Sequence, residues 1–173
     1  MPRISPTIQG ALNQQINREL ASAYVYLAMS SWADEQNLNG AAKWLRLQWE
    51  EELMHATKLV DYIAERGGRI KLTAIEEPPD TYTDLLDVFR NVLRHEEEVT
   101  SAINELYDLA AKEKDYATQT LLDWYVNEQV EEENAPMEII SMLELAADSP
   151  SGLLIVDRQL AERSSAPADP PGR

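Results

Sequence analysis

At 173 residues the chain fits one domain, and its composition leans toward helices: 44% hydrophobic, only 6 Gly, and 4 Trp and 7 Tyr to supply large buried bodies. A formal net charge of −16 repels phosphates and anionic lipid, which argues against nucleic acid or a membrane as partner and favours cations. The absence of cysteine excludes disulfides, thiolate metal sites and cysteine nucleophiles. MPRISPTIQG at the start has no apolar run of signal-peptide type, and no roughly 18-residue apolar span follows, so a soluble, cytoplasmic protein is expected.

A first helix is expected from the Ser5-Pro6 pair to about residue 37, with Leu12, Ile16, Leu20, Ala23 and Leu27 as its apolar stripe, broken at NLNG. A second follows from about 41 to 66 and ends at the Gly67-Gly68 pair, which tolerates left-handed backbone geometry. The next segment, RIKLTAIEEPPDTYT, holds a Pro-Pro pair and little periodicity. A helix of about 26 residues is on the order of 40 Å long, and a connection of about 15 residues reaches some 50 Å when extended, so this segment can cross a whole bundle. A third helix is expected from about 83 to 112 and a fourth from about 115 to 147, with Pro136 expected to kink it or interrupt its hydrogen bonds. A short amphipathic helix, LLIVDRQLAER, comes after DSPSG. The domain is expected to cover 1–163, and residues 164–173, SSAPADPPGR, have the composition of a disordered tail. Two hairpins joined by one long crossover describe an all-α four-helix bundle with a short fifth helix.

Stepping along each stripe by alternate threes and fours exposes an anomaly. Positions 12, 16, 19, 23, 26 and 30 of the first helix read Leu, Ile, Glu, Ala, Tyr, Ser; positions 45, 48, 52, 55, 59 and 63 of the second read Leu, Gln, Glu, His, Leu, Ile. Positions 85, 89, 92, 96, 99 and 103 of the third read Leu, Phe, Val, Glu, Val, Ile, and 121, 125, 128, 132, 135 and 139 of the fourth read Leu, Tyr, Glu, Glu, Ala, Ile. Every apolar face carries a carboxylate near its middle, and no Lys or Arg lies on these stripes to pair with it. A buried ionised carboxylate costs several kcal/mol unless paired or bound to a metal. Glu52 and His55, three residues apart, project from one face and can chelate one ion, while carboxylates on facing helices bridge to a second. Oxygen-rich ligands with a single imidazole suit iron or manganese better than a structural zinc. Taken singly, each residue has a plainer reading: Tyr26 as a core tyrosine, EQVEEE as a solvated face (kept for Glu133), and His95 as a surface residue or one that supports a ligand from behind.

Together, NRELASAYVYLAMS, EEELMHA, RHEEEVT and DWYVNEQVEEE resemble the ferritin family over residues 8 to 162. The resemblance implies a ferroxidase centre in which Glu19, Glu52 and His55 take the first iron and Glu52 bridges to the second. It implies Glu96 and Glu132 at the second iron, Gln129 nearby, and Tyr26 as a redox partner beside the centre. Bacterial members have a third iron position on the cavity side, whose ligands map to Glu51, Glu128 and Glu131, with Glu132 shared. Bacterioferritin and rubrerythrin relatives use a second Glu-x-x-His on the fourth helix, whereas the stretch from Glu128 here ends in Glu131. Leu53 stands where bacterioferritin has its haem-binding methionine, and Met54 is one step out of register, so no haem is expected. The lack of cysteine excludes a rubredoxin module. Gln119 and Leu122 match the acidic positions of animal three-fold channels, so that iron access route is not expected here.

The family resemblance implies iron storage: Fe(II) is oxidised by dioxygen or hydrogen peroxide, and Fe(III) is kept as a hydrated oxide inside a homo-oligomeric shell, a 24-mer. A second reading keeps the di-iron centre in a peroxidase or oxidase without mineral storage. A third makes the chain a helical scaffold whose central glutamates are protonated or hydrated.

Overall fold

The computed structural model describes residues 3–147 and 149–164, so the tail expected at 164–173 lies, apart from its first residue, outside the described residues. The described residues form α1 (Pro6–Glu35), α2 (Asn39–Glu65), α3 (Leu85–Lys112), α4 (Tyr116–Ala146) and α5 (Pro150–Leu160). None of these helices is long and apolar enough to cross a membrane.

Local chemistry sets the boundaries. Ser5, Asp84, Asp115 and Ser149 each accept a backbone N–H in the first turn of α1, α3, α4 and α5, and Pro6 and Pro150 occupy first-turn positions where no amide is needed. The fifth helix therefore begins three residues before the expected Leu153, because the Ser149-Pro150 pair is itself a start signal. Asn37, Gly67 and Lys114 adopt positive φ just past α1, α2 and α3 and turn the chain out of each helix. Pro136 does not end the fourth helix: α4 continues through it to Ala146, with the proline ring buried.

The long connection between α2 and α3 runs the length of α1. Gln9, Asn13 and Asn17, spaced four apart on α1, bond through their side-chain amides to the backbone of Arg69, Lys71 and Thr73 in turn, at 2.7 to 3.1 Å. At the far end Tyr82 meets Trp32 edge-on, ring centroids 5.6 Å apart. This crossover delivers α3 to the end of the bundle where α1 finishes, which gives the expected topology.

The apolar core is split in two. One cluster gathers Tyr26, Met29, Leu45, Phe89, Val92 and Ile139; the other gathers Ile8, Leu12, Ile16, Leu59, Ile63, Val99, Ile103 and Leu122. The break in the stripes falls at Glu19 and Ser22 on α1, Gln48, Glu52 and His55 on α2, Glu96 on α3, and Gln129 and Glu132 on α4, all of them buried. The four helices thus carry their polar residues at one level. The stripe expected on α4 is partly out of phase. Leu121, Glu128 and Ala135 are only half-buried, and the core positions are Leu122, Gln129 and Pro136, which keep strict alternation of three and four from Thr118 to Leu143.

Candidate metal centre

On one side of the polar level, ligand atoms of Glu19, Glu52 and His55 lie within 4.8 Å of one another. His55 Nδ1 is 3.6 Å from Glu52 Oε2 and 4.0 Å from Glu19 Oε2. Glu19 Oε1 accepts from Gln15 Nε2 at 2.7 Å. Ligand atoms of a second group, His55, Glu128 and Glu132, also lie within 4.8 Å of one another, so the two groups share the imidazole. Glu132 Oε2 accepts from Gln48 Nε2 at 2.7 Å. Glu96 accepts from the Tyr26 hydroxyl and, at 3.2 Å, from Gln129 Nε2. The His55 ring meets Trp124 edge-on at 5.3 Å, and Lys58 covers the Trp124 ring at 4.1 Å.

Burial and mutual repulsion dominate the electrostatics. Burial, then the charges of Glu96, Glu19 and Glu132, hold the Glu52 carboxyl well above the ordinary carboxylate range. Burial lifts Glu96 to about 7 even though Tyr26 and Gln129 donate to it. Burial and the facing Glu96 lift Glu132 to about 8. Desolvation, followed by Glu96, Glu132 and Glu52, pushes the Tyr26 hydroxyl well up. Glu52 Oε2, His55 Nε2 and Gln48 Oε1 are buried with no hydrogen-bond partner among the described residues. Leaving such groups unsatisfied is costly, and a multivalent cation would satisfy the lone pairs and relieve the repulsion at once. The donor set therefore fits iron: mostly carboxylate oxygen, with one imidazole.

The residues expected at an inward third position are not gathered into one cluster. Glu128 joins His55 and Glu132, but Glu131 is exposed, and Glu51 is held by Arg163 at 2.6 Å. His95 is not a surface residue: it is partly buried, its Nε2 lies 2.7 Å from Ser22 Oγ, and burial lowers its pKa. Nor is Glu133 fully solvated, since it is half-buried and accepts from Thr100. Sequence reasoning missed Gln15 and Gln48 as partners of the ligand carboxylates. For Gln15 a signal existed, because it stands four residues before Glu19, one turn along the same face, whereas Gln48 meets Glu132 across 84 positions and left no local pattern.

A bundle with one crossover, whose core is interrupted by four carboxylates and a histidine, defines a helical protein of the carboxylate-centre class. The ferritin-like domain family matches residues 9–146, and the chain belongs to the ferritin family. It is 39% identical to a bacterial non-heme ferritin of Bacteroides fragilis over 92% of this chain and 99% of that protein. It is 37% identical to a bacterial non-heme ferritin of Campylobacter jejuni over 91% of this chain and 94% of that protein. The fold is similar to that of an open pore ferritin from the hyperthermophilic archaeon Archaeoglobus fulgidus, with a TM-score of 0.92 and 48% identity over 93% of this chain and 99% of that one.

Proposed function

We propose that this protein stores iron in the cytoplasm: it oxidises Fe(II) at a centre inside each subunit and deposits Fe(III) as a hydrated oxide within a hollow homo-oligomer, a 24-mer. The observation that carries the reading is the polar level across all four helices, with buried polar atoms on Glu52 and His55 that nothing among the described residues satisfies.

Glu19, Glu52 and His55 hold one Fe(II), and Glu52 reaches toward the second, which Glu96 and Glu132 hold beside Gln129. Two Fe(II) held together would each give up one electron, and with two protons from solvent dioxygen would be reduced to hydrogen peroxide, or hydrogen peroxide to two waters, without release of a one-electron product. Anionic oxygen ligands favour the Fe(III) that results. Gln15, Gln48 and Gln129 fix the carboxylates by donating to them, and Tyr26 donates to Glu96 beside the reacting ions. Glu51, Glu128 and Glu131 would supply looser ligation through which product leaves for the cavity.

Assembly is supported by the apolar residues that the subunit leaves uncovered around α5. Leu145, Leu154 and Ile155 are 87%, 57% and 66% exposed, an arrangement that a partner subunit would cover.

The test is the initial rate of ferric absorbance on adding Fe(II) in air. Glu52→Gln and His55→Ala, checked for intact assembly, are each expected to lower it by roughly tenfold or more, at least the loss that follows removal of a group merely supporting a ligand. An initial rate equal to that of the unaltered protein would remove the centre from this site.

A further inference from the structure

The last described turn of the chain reaches back to α2 at Glu51, the residue before Glu52. Three residues past α5, Arg163 donates from Nη2 to Glu51 Oε2 at 2.6 Å and from Nη1 to the Trp44 carbonyl at 3.5 Å, and its Cζ lies 4.5 Å over the Trp44 ring. The side chains are 24% exposed for Arg163 and 14% for Glu51, so this is a partly desolvated pair and not a surface contact. Glu51 is near enough to Glu132 to contribute to its raised pKa.

Docking of α5 fixes where Arg163 stands. The first turn of α2 has no side-chain cap of its own, and Asp157 of α5 supplies one, accepting from Ala41 N at 2.8 Å. Lys43 Nζ donates to the Ala161 carbonyl at 2.6 Å, and Val156 and Leu160 are buried in the core. The two backbones approach so closely at Gly40 that a Cβ there would sit 1.7 Å from the Asp157 carbonyl oxygen.

We propose that Arg163 is a positioning residue that holds Glu51 away from the inward cation position, so that a third divalent cation binds there only by displacing the guanidinium. The proposal rests on the reading of Glu51 as a ligand on the cavity side. It makes the seating of α5 a control on that position: while α5 is docked, the guanidinium competes with the cation for the same carboxylate. Glu19, Glu52, His55 and Glu96 lie outside this exchange, whereas Glu132 is shared between the centre and the inward position.

The test is an anaerobic calorimetric titration with Zn(II), a redox-silent divalent probe, of the full-length assembled protein and of Arg163→Gln and Arg163→Lys. Gel filtration confirms the assembly of each. In the unaltered protein two equivalents per subunit are expected to bind tightly and a third weakly. Arg163→Gln is expected to tighten the third by roughly tenfold, the scale of a charged hydrogen bond no longer in competition. Arg163→Lys, which keeps the charge but not the stacked fork, falls between the two. A third equivalent of unchanged affinity in Arg163→Gln, beside two normal ones, overturns the proposal while leaving the centre standing. Loss of the first two equivalents from the unaltered protein overturns both. If Arg163→Gln does not assemble, Arg163→Lys decides alone: tightening of a fewfold supports the exchange, and wild-type affinity overturns it.

Discussion

Tyr125 donates its hydroxyl to the backbone carbonyl of His55 at 2.7 Å, a bond between α4 and α2 made in the buried layer beside the metal centre. The Tyr125 ring also packs edge-on against Trp124 at 4.8 Å and lies 6.1 Å from the His55 ring. Tyr125→Phe keeps the ring and removes only the hydroxyl, so it is expected to cost about 1 kcal/mol. Urea unfolding of the metal-free protein reads this as a lower midpoint with an unchanged slope; an unchanged midpoint would mean that the bond contributes nothing net.

Without metal, the buried carboxyls make the protein sensitive to alkali. The ordinary carboxyl value is 4.5, and the folded protein raises Glu96 to about 7 and Glu132 to about 8. Between these limits the folded state binds more protons than the unfolded state. Stability is therefore fully present below the unfolded value and is lost as pH rises through 7 and 8, by on the order of a few kcal/mol. Scanning calorimetry of the metal-free protein at pH 6 and pH 8 should show the lower Tm at pH 8, and Zn(II) should restore it. Glu132→Gln is expected to raise the metal-free Tm at pH 8 while weakening the metal's effect. A metal-free Tm that rose from pH 6 to pH 8 would count against the burial argument.

The opposite sign holds at Asp115. Burial alone would raise its carboxyl, but the Arg66 guanidinium at 3.0 and 3.1 Å and the Thr118 N–H outweigh burial and hold it below the ordinary 3.8. Its stabilisation is present above the unfolded value and lost as pH falls through the lower folded value. Asp115→Asn still caps α4 but leaves Arg66 buried without its anion, at a cost of about 3 kcal/mol near pH 7. Urea midpoints of the two proteins should converge on acidification below about pH 4; a gap independent of pH would assign the loss to the cap.

The bundle and its ligand level were legible because they rest on periodicity. Glu19, Glu52, His55 and Glu96 fall on stripes that the structure buries throughout, and the amide-pinned crossover follows from the length and composition of its segment. On α4 the run EQVEEE offers four carboxylates and a glutamine within six positions. Composition cannot separate Glu128 from Gln129 there; only the phase set by packing from Thr118 to Leu143 does. Contacts distant in sequence left no local pattern. Arg163 meets Glu51 across 112 positions, and His95 meets Ser22 across 73, so each looks like an ordinary polar residue until the helices are assembled.

The central claim is oxidation with storage, and aerobic loading tests it most directly. Fe(II) is added to the metal-free protein at many equivalents per subunit, and ferric absorbance and particle size are followed together by gel filtration. Rapid oxidation is expected, with iron retained far beyond the centre's capacity in a large soluble shell. Saturation near about two irons per subunit on a small species would contradict storage and point to a di-iron peroxidase or oxidase of the same fold.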